Sequence, residues 1–532
     1  MRLHLAMDSF QNNAFVVLRL LPSLALGILA ALVGYVAINE YLRRHSMIAG
    51  LASPPQQIIF GHLPFFAHKG VAEPCRDWSQ RYGPVYQIKL GNITAVTINT
   101  ASAAKHIFSH QSHATSSRPE LYTLHKLKDV SQLVNDASGT PIGQTPYSDS
   151  LKRRRRAAAA ALNRPMVQTY TNHLDLETRQ FVKDLLKYGQ DGTICMDPMQ
   201  AIQRMSLSLV LTLNWGVRMR SQDDALFSEI VHVEEELNYF RGSSASLQDY
   251  VPLWRLFPTK SAQAIALRNR RDAYILKFDQ ELRQRVMNGT HSSCIQANVM
   301  VDPEAKVSEE EVRSISLSML SAGFETVGAT VTWSLGFFST HPEIQEKAYH
   351  EISKMYSDEQ PLCDPQEDMK CEYVAALVKE CLRYFCVVRM NLPRSTIKET
   401  EYDGKIIPVG TLMLCNNMAC NFDPDLWPDA DIFRPERWIE HPDAPLFTYG
   451  LGYRMCVGAL LANRELYLIF MRVLHSFKIE QHGNFDDNPI TGIRDARELV
   501  AMPKPYKASF IPRHQDFLEN ALTGPDNEKS KI

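Results

Sequence analysis

From Leu20 to Ile38 the chain reads LLPSLALGILAALVGYVAI, 19 residues without a charge. In a helix, at 1.5 Å per residue, such a run covers a bilayer core of about 30 Å. A lone segment in lipid has to be helical, because its backbone groups find no water to bond there. Pro22 and Ser23 fall in the first turn, where a helix tolerates them. The run exceeds the apolar core of a secretory leader, and Asn39, Glu40 and Tyr41 follow it in place of a small-residue cleavage site. The sequence predicts a single membrane anchor at about 20–38, within an N-terminal segment 1–45. Arg2 and Arg19 nearly balance Arg43 and Arg44, so its orientation is only weakly coded.

Behind the anchor, residues 46–60 read as a linker stiffened by Pro54 and Pro55, 61–512 as one large domain and 513–532 as a polar tail. The run YGPVYQIKLGNITAVTIN from Tyr82 holds two alternating stretches around Gly91-Asn92, the pattern of a β-hairpin. From about 165 to 350 helical periodicity dominates, so the expected fold is mainly α with smaller β regions. The 57 basic residues nearly cancel the 59 acidic ones, which excludes a globally basic nucleic-acid binder and an acidic disordered chain. None of the ten cysteines pairs at CxxC spacing, so a zinc ribbon or a thioredoxin-type motif is not expected. Most read as reduced, buried thiols in a cytosol-facing protein.

Cys456 needs a different reading. It lies in TYGLGYRMCVGALLANRELYLIFMRVL, with Gly450, Gly452 and Gly458 around it and an amphipathic helix starting just after. The glycines permit a tight turn and a close backbone approach to a flat ligand. The helix N-terminus and Arg454 are expected to favour a thiolate. A thiolate in such a notch suits haem iron.

The run Gly450-Leu-Gly452-Tyr-Arg454-Met-Cys456-Val-Gly458 resembles the haem-binding loop of the cytochrome P450 monooxygenases, with Tyr449 where that family usually carries Phe. Three further motifs fall in order. Glu380-Cys-Leu-Arg383 and Phe433-Arg-Pro-Glu-Arg437-Trp resemble the family's structural triad, implying that Glu380, Arg383 and Arg437 lock a helix to the loop before the haem site. Ala322-Gly-Phe-Glu325-Thr326-Val327 resembles the oxygen-binding groove, implying that Glu325 and Thr326 relay protons, with Val327 lacking a second hydroxyl. Tyr147-Ser-Asp-Ser-Leu151, running into Lys152-Arg-Arg-Arg-Arg156, resembles the helix on the proximal haem side. There Tyr147 stands for the usual Trp and Leu151 for the usual Arg, which leaves Arg155 as the favoured propionate ligand together with Arg394 and Arg454. Taken alone, KRRRR reads as a nuclear-localisation or nucleic-acid patch, a reading the anchor and the haem loop displace.

The resemblance covers roughly residues 50–512. QIKLGN, RPELYTLH (118–125), ALNRP, LQDYVP, RRDAY and SLSMLSAGFET look most like fungal phenylacetate hydroxylases and related hydroxylases of small phenols. That implies a cytochrome P450 fold behind one transmembrane helix, haem held by Cys456, and O2 with NADPH-derived electrons from a membrane-bound reductase. It also implies a small aromatic substrate: a phenol, cresol, hydroxybenzyl alcohol or arylacetate. The expected setting is fungal secondary metabolism, with aromatic catabolism as the alternative. The expected place is the endoplasmic reticulum membrane, single-pass, with the catalytic domain in the cytosol and the sequons at Asn92 and Asn288 unmodified. The C-terminal Ser530-Lys531-Ile532 is read as no peroxisomal address. A haem-thiolate isomerase or dehydratase and a non-catalytic haem-binding module stay open; the Glu325–Thr326 pair argues against both.

Overall fold

The computed structural model describes residues 2–120, 122, 141–241, 247–256, 261–302 and 306–523. Most of RPELYTLH and the last three residues lie outside these. The N-terminal helix Arg2–His45 carries, over Pro22–His45, a stretch of mean hydropathy 1.8 that is almost wholly exposed, long and apolar enough to cross a membrane.

The hairpin forms as its pattern predicts. Strand β1 (Val85–Leu90) pairs antiparallel with β2 (Ile93–Ile98) across Gly91-Asn92. Gly91 sits at φ +54, and a Cβ there would lie 2.2 Å from the Tyr250 carbonyl oxygen, so no other residue fits. Strand β3 (Arg394–Ser395) pairs antiparallel with β6 (Leu412–Cys415), which runs parallel to β2, so the sheet order is β1-β2-β6-β3 and joins the two ends of the chain. Two small ribbons complete the β structure: β4 (Thr400–Tyr402) with β5 (Lys405–Ile407), and β7 (Phe477–His482) with β8 (Lys507–Pro512).

The centre is the 32-residue helix Glu309–Thr340. Ser308 and Glu311 close a capping box at its start, satisfying two otherwise orphaned backbone donors. From Val327 to Ser339 it is buried on every side, against helices Met199–Trp215, Glu372–Phe385 and Ala459–Ser476. Trp333 stacks on Phe385 at 5.1 Å and donates to the Ala501 carbonyl at 2.8 Å. Each large apolar side chain buried this way contributes roughly 1.5–3 kcal/mol.

Two expectations are corrected. The last turn of the N-terminal helix and residues 46–60 lie against the sheet, so the stretch read as a stiff linker is packed onto the domain. Arg43 is buried and donates to the Gly91 carbonyl at 2.9 Å, and Glu40 accepts the Ile59 N–H at 2.8 Å. Gln87 bonds the backbone of Ile48 and Leu51. A buried strand glutamine needs such partners, and the 46–51 backbone supplies them. Within the expected polar tail, Gln515–Thr523 is a helix, because Leu518 and Leu522 fall four apart and reach the core.

Candidate functional site

Cys456 ends a glycine-shaped loop. Its N–H donates to the Tyr449 carbonyl at 2.9 Å, and Gly450 N–H to the Phe447 carbonyl at 2.8 Å. Gly450 and Gly452 both take positive φ, +71 and +59. The close approach at Gly452 is to protein: a Cβ would stand 2.0 Å from the Phe108 carbonyl oxygen and 2.7 Å from Ser112 Oγ. Ser112 Oγ also accepts the Tyr453 N–H at 2.8 Å, so this glycine seats the loop on the 106–112 turn. Tyr449, at the family's usual Phe position, donates its hydroxyl to Asn463 Oδ1 at 2.9 Å.

The environment of Cys456 differs from the expected thiolate-favouring one. Its surface is accessible, yet protein atoms crowd the sulfur enough that burial raises the thiol pKa, opposed by the Gly458 N–H and by Arg155. The surrounding protein atoms strip water from the sulfur, and this disfavours the charged form. Arg454 plays no part in this. Its guanidinium turns away to the carbonyls of Ser116 (2.6 Å), Thr145 (2.7 Å) and Ile142 (3.3 Å). A thiol held neutral here loses its proton when a metal ion binds it.

Beside the loop four arginines converge: Arg118, Arg155, Arg394 and Arg454. Burial and mutual repulsion push Arg454 down to about 9 and Arg394 to about 10, and lower Arg118 and, by burial, Arg155. Among the described residues none of the four pairs with a carboxylate. Arg394 bonds the Leu451 carbonyl at 2.7 Å while its buried Nε and Nη1 have no partner. Arg155 bonds the Met455 carbonyl at 2.9 Å and lies over the Tyr453 ring. Buried unpaired cations are costly, so the cluster asks for anions. The two propionates of a haem on Cys456 fit that donor set. Sequence reading missed Arg118, which bonds the Gly143 and Pro393 carbonyls at 2.6 and 2.9 Å. It lies far from Cys456 in sequence, and no spacing rule links the two.

Behind the loop, Glu380 is wholly buried and accepts five hydrogen bonds. They come from Arg383 Nε and Nη2 (2.9 and 2.8 Å), Arg437 Nε (3.2 Å), Arg434 N–H (2.8 Å) and Trp438 Nε1 (2.9 Å). Arg383 passes on to the carbonyls of Asn421 and Ala430. The expected lock between the helix Glu372–Phe385 and the loop around 430–438 is thus in place.

Over the loop, the central helix changes character. Ala322, Gly323, Glu325 and Thr326 are accessible between the buried stretches 314–318 and 327–339 of that helix. Tyr453 and Val457 of the cysteine loop pack into the same cluster as Ile315 and Met319, which sets the loop beside the part of the central helix that leads into this stretch. Thr326 Oγ1 donates to the Ala322 carbonyl at 2.6 Å, and Ser206 Oγ to the Phe324 carbonyl at 2.6 Å. A Cβ at Gly323 would come 2.9 Å from Val210, which holds the neighbouring helix tight against the groove.

The basic residues of the helix Asp149–Ala161 divide between the core and the surface. Leu151, where the family motif has Arg, is buried in the core. Arg154 bonds Ser314 at 2.7 Å, Arg153 bonds Glu311 at 2.7 Å, and Lys152 bonds Asp149 at 2.9 Å. Lys152, Arg153 and Arg156 remain exposed beside the exposed Met455 and Leu460.

The Cytochrome P450 family model matches residues 51–510. The 3-hydroxyphenylacetate 6-hydroxylase of Emericella nidulans is 52% identical over 92% of this chain and 94% of its own length. The phenylacetate 2-hydroxylase of the same organism is 36% identical over 92% and 95%. A cytochrome P450 monooxygenase of Mycosarcoma maydis is 37% identical over 83% of each chain. Family match, whole-length relatives and a cysteine loop backed by unpaired arginines agree: the chain belongs to the cytochrome P450 monooxygenases and is an oxidoreductase.

Proposed function

We propose that this protein hydroxylates the ring of a small arylacetate, using O2 and NADPH-derived electrons delivered by a membrane-bound reductase. The observation that carries the reading is whole-length likeness to two hydroxylases named for phenylacetates, one at 52% identity. When bound, the haem supplies the oxygen activation, with its iron on the Cys456 sulfur. The chain's own residues do the rest. Arg118, Arg155, Arg394 and Arg454 would hold the propionates and supply their counter-charge. Glu380, Arg383 and Arg437 hold the segment that leads into the cysteine loop. The Thr326 hydroxyl donates to the Ala322 carbonyl and keeps its oxygen lone pairs free to take and pass a proton at Oγ1, and Glu325, next in the same groove, replenishes it. Lys152, Arg153 and Arg156 form the exposed basic rim for an acidic reductase. The anchor helix keeps the domain at the endoplasmic reticulum membrane, facing the cytosol.

The test is turnover by the full chain with its reductase in membranes, offered phenylacetate, 3-hydroxyphenylacetate, m-cresol and 3-hydroxybenzyl alcohol. A hydroxylated arylacetate formed in step with NADPH consumption is expected. Product formed without NADPH would support a haem-thiolate isomerase instead, and turnover of the cresol or the alcohol alone would overturn the arylacetate assignment.

A further inference from the structure

The four arginines beside the cysteine loop spend their donors in different places. Arg454 bonds the carbonyls of Ser116, Ile142 and Thr145, Arg118 those of Gly143, Leu392 and Pro393, and Arg394 that of Leu451. Arg155 alone of the four reaches the residue next to the sulfur. Its Nη2 donates at 2.9 Å to the Met455 carbonyl, which shares a peptide bond with the Cys456 nitrogen. Helix geometry puts it there. Leu151, four residues earlier, is wholly buried in the cluster that takes in Tyr453, Val457 and Leu461, so that face of the helix Asp149–Ala161 meets the cysteine loop. Arg155 shares the face one turn on. The basic residue is thus displaced by a turn from 151, where the family motif has it.

The guanidinium is held from a second side. It lies over the Tyr453 ring at 5.3 Å, and that ring meets Tyr147 edge to face at 5.7 Å. The sulfur has few other groups to support a charge. The Cys456 N–H goes to the Tyr449 carbonyl at 2.9 Å, Arg454 is turned away, and burial disfavours the charged form. The Gly458 N–H and Arg155 oppose burial, and Arg155 is the full charge of the two. A fixed cation beside a thiolate stabilises the anion and draws on the electron density that it offers a metal.

We infer that Arg155 is a positioning residue for the axial sulfur. Its guanidinium, fixed by the Met455 carbonyl and the Tyr453 ring, holds a positive charge beside the Cys456 thiolate and so raises the reduction potential of iron bound there. This role is additional to any donor that Arg155 gives a propionate. It rests on ligation of the iron by Cys456 and is independent of the substrate.

Spectroelectrochemical titration of the full-length holoenzyme and resonance Raman measurement of its iron–sulfur stretch test it, with haem content and thermal midpoint measured on every variant. Arg155→Gln is expected to shift the ferric–ferrous equilibrium about tenfold toward ferric, a fall of ~59 mV for one electron, and to raise the stretching frequency. Arg155→Lys keeps the charge on a flexible stem and is expected to recover most of both. Arg394→Gln, on the Leu451 side, is expected to lower haem content and leave the stretch where it is. If Arg155→Gln does not hold haem, Arg155→Met takes its place. An unchanged stretch in the neutral variant, or the same change in Arg394→Gln, overturns the inference and leaves Arg155 a holder of propionate. Loss of haem from both neutral variants does the same. A shift that Arg155→Lys fails to recover overturns it too, in favour of packing over charge. A wild type whose reduced carbon monoxide complex lacks the long-wavelength thiolate band removes ligation by Cys456 itself; a wild type that shows the band, with an Arg155→Gln stretch and potential equal to its own, removes only this inference.

Discussion

Glu380→Gln keeps the volume of the side chain and removes its charge at a point where two guanidinium groups depend on it. Arg383 and Arg437 are both essentially inaccessible, and neither has another carboxylate among its partners. Breaking a buried pair from one side costs about 3–5 kcal/mol, because the remaining charge stays buried without compensation. The variant amide can still accept from Trp438 or from the Arg434 N–H, but its own NH2 would face Arg383, which adds about 1–3 kcal/mol for an unsatisfied donor. Since these terms share groups they do not add fully, and a loss of about 4 kcal/mol is expected. That is a large fraction of a total stability of about 5–15 kcal/mol. The assay is the urea midpoint together with the fraction of chains that carry haem. Removing Glu380 and Arg383 together, as in Glu380→Leu with Arg383→Leu, should cost less than the two single changes summed, although Arg437 stays without its carboxylate. A Glu380→Gln protein within about 1 kcal/mol of the wild type, fully loaded with haem, would refute the reasoning that this cluster is an obligatory lock.

Thr326→Ala should leave haem content and substrate affinity nearly unchanged while NADPH consumption yields more hydrogen peroxide and less product; unchanged coupling would reduce Thr326 to a packing residue. Removing residues 1–38 should release the protein from membranes with its stability intact, whereas removing 1–45 also deletes Arg43 and Glu40 and should lower the unfolding midpoint; equal midpoints would mean the docked turn adds nothing. Burial pushes the Glu465 carboxyl up to about 8. The folded state therefore keeps a proton that the unfolded state has already lost above its ordinary pKa of about 4.3. Stability should fall by up to about 1.4 kcal/mol per pH unit as pH rises from about 5 to 8, then level off. Glu465→Gln should remove that slope, and two parallel pH profiles would contradict it.

The motifs were legible because each concentrates several constraints in a few residues. Gly450, Gly452 and Cys456 are such a set, and so is the Gly91-Asn92 turn, whose conformation only glycine allows. The length of the apolar run likewise needed no structure. What escaped was the part that depends on distant chain segments meeting. Arg118 joins the arginine cluster only because the 118, 143 and 392–394 segments pack together. Arg454 beside Cys456 in sequence pointed to the wrong neighbour, since its side chain turns to Ser116 and Thr145 while Arg155, 301 residues earlier, faces the sulfur. Leu518 and Leu522 were diluted by polar neighbours, and only the surface they meet shows the helix to be part of the body.

Ligation by Cys456 is the claim on which the rest depends, and the absorption of the reduced carbon monoxide complex tests it most directly. Wild type, Cys195→Ser and Cys294→Ser should all give the long-wavelength band that thiolate ligation produces, while Cys456→Ser should lose it even if haem remains bound. Survival of that band in Cys456→Ser would contradict the assignment of the iron to this sulfur.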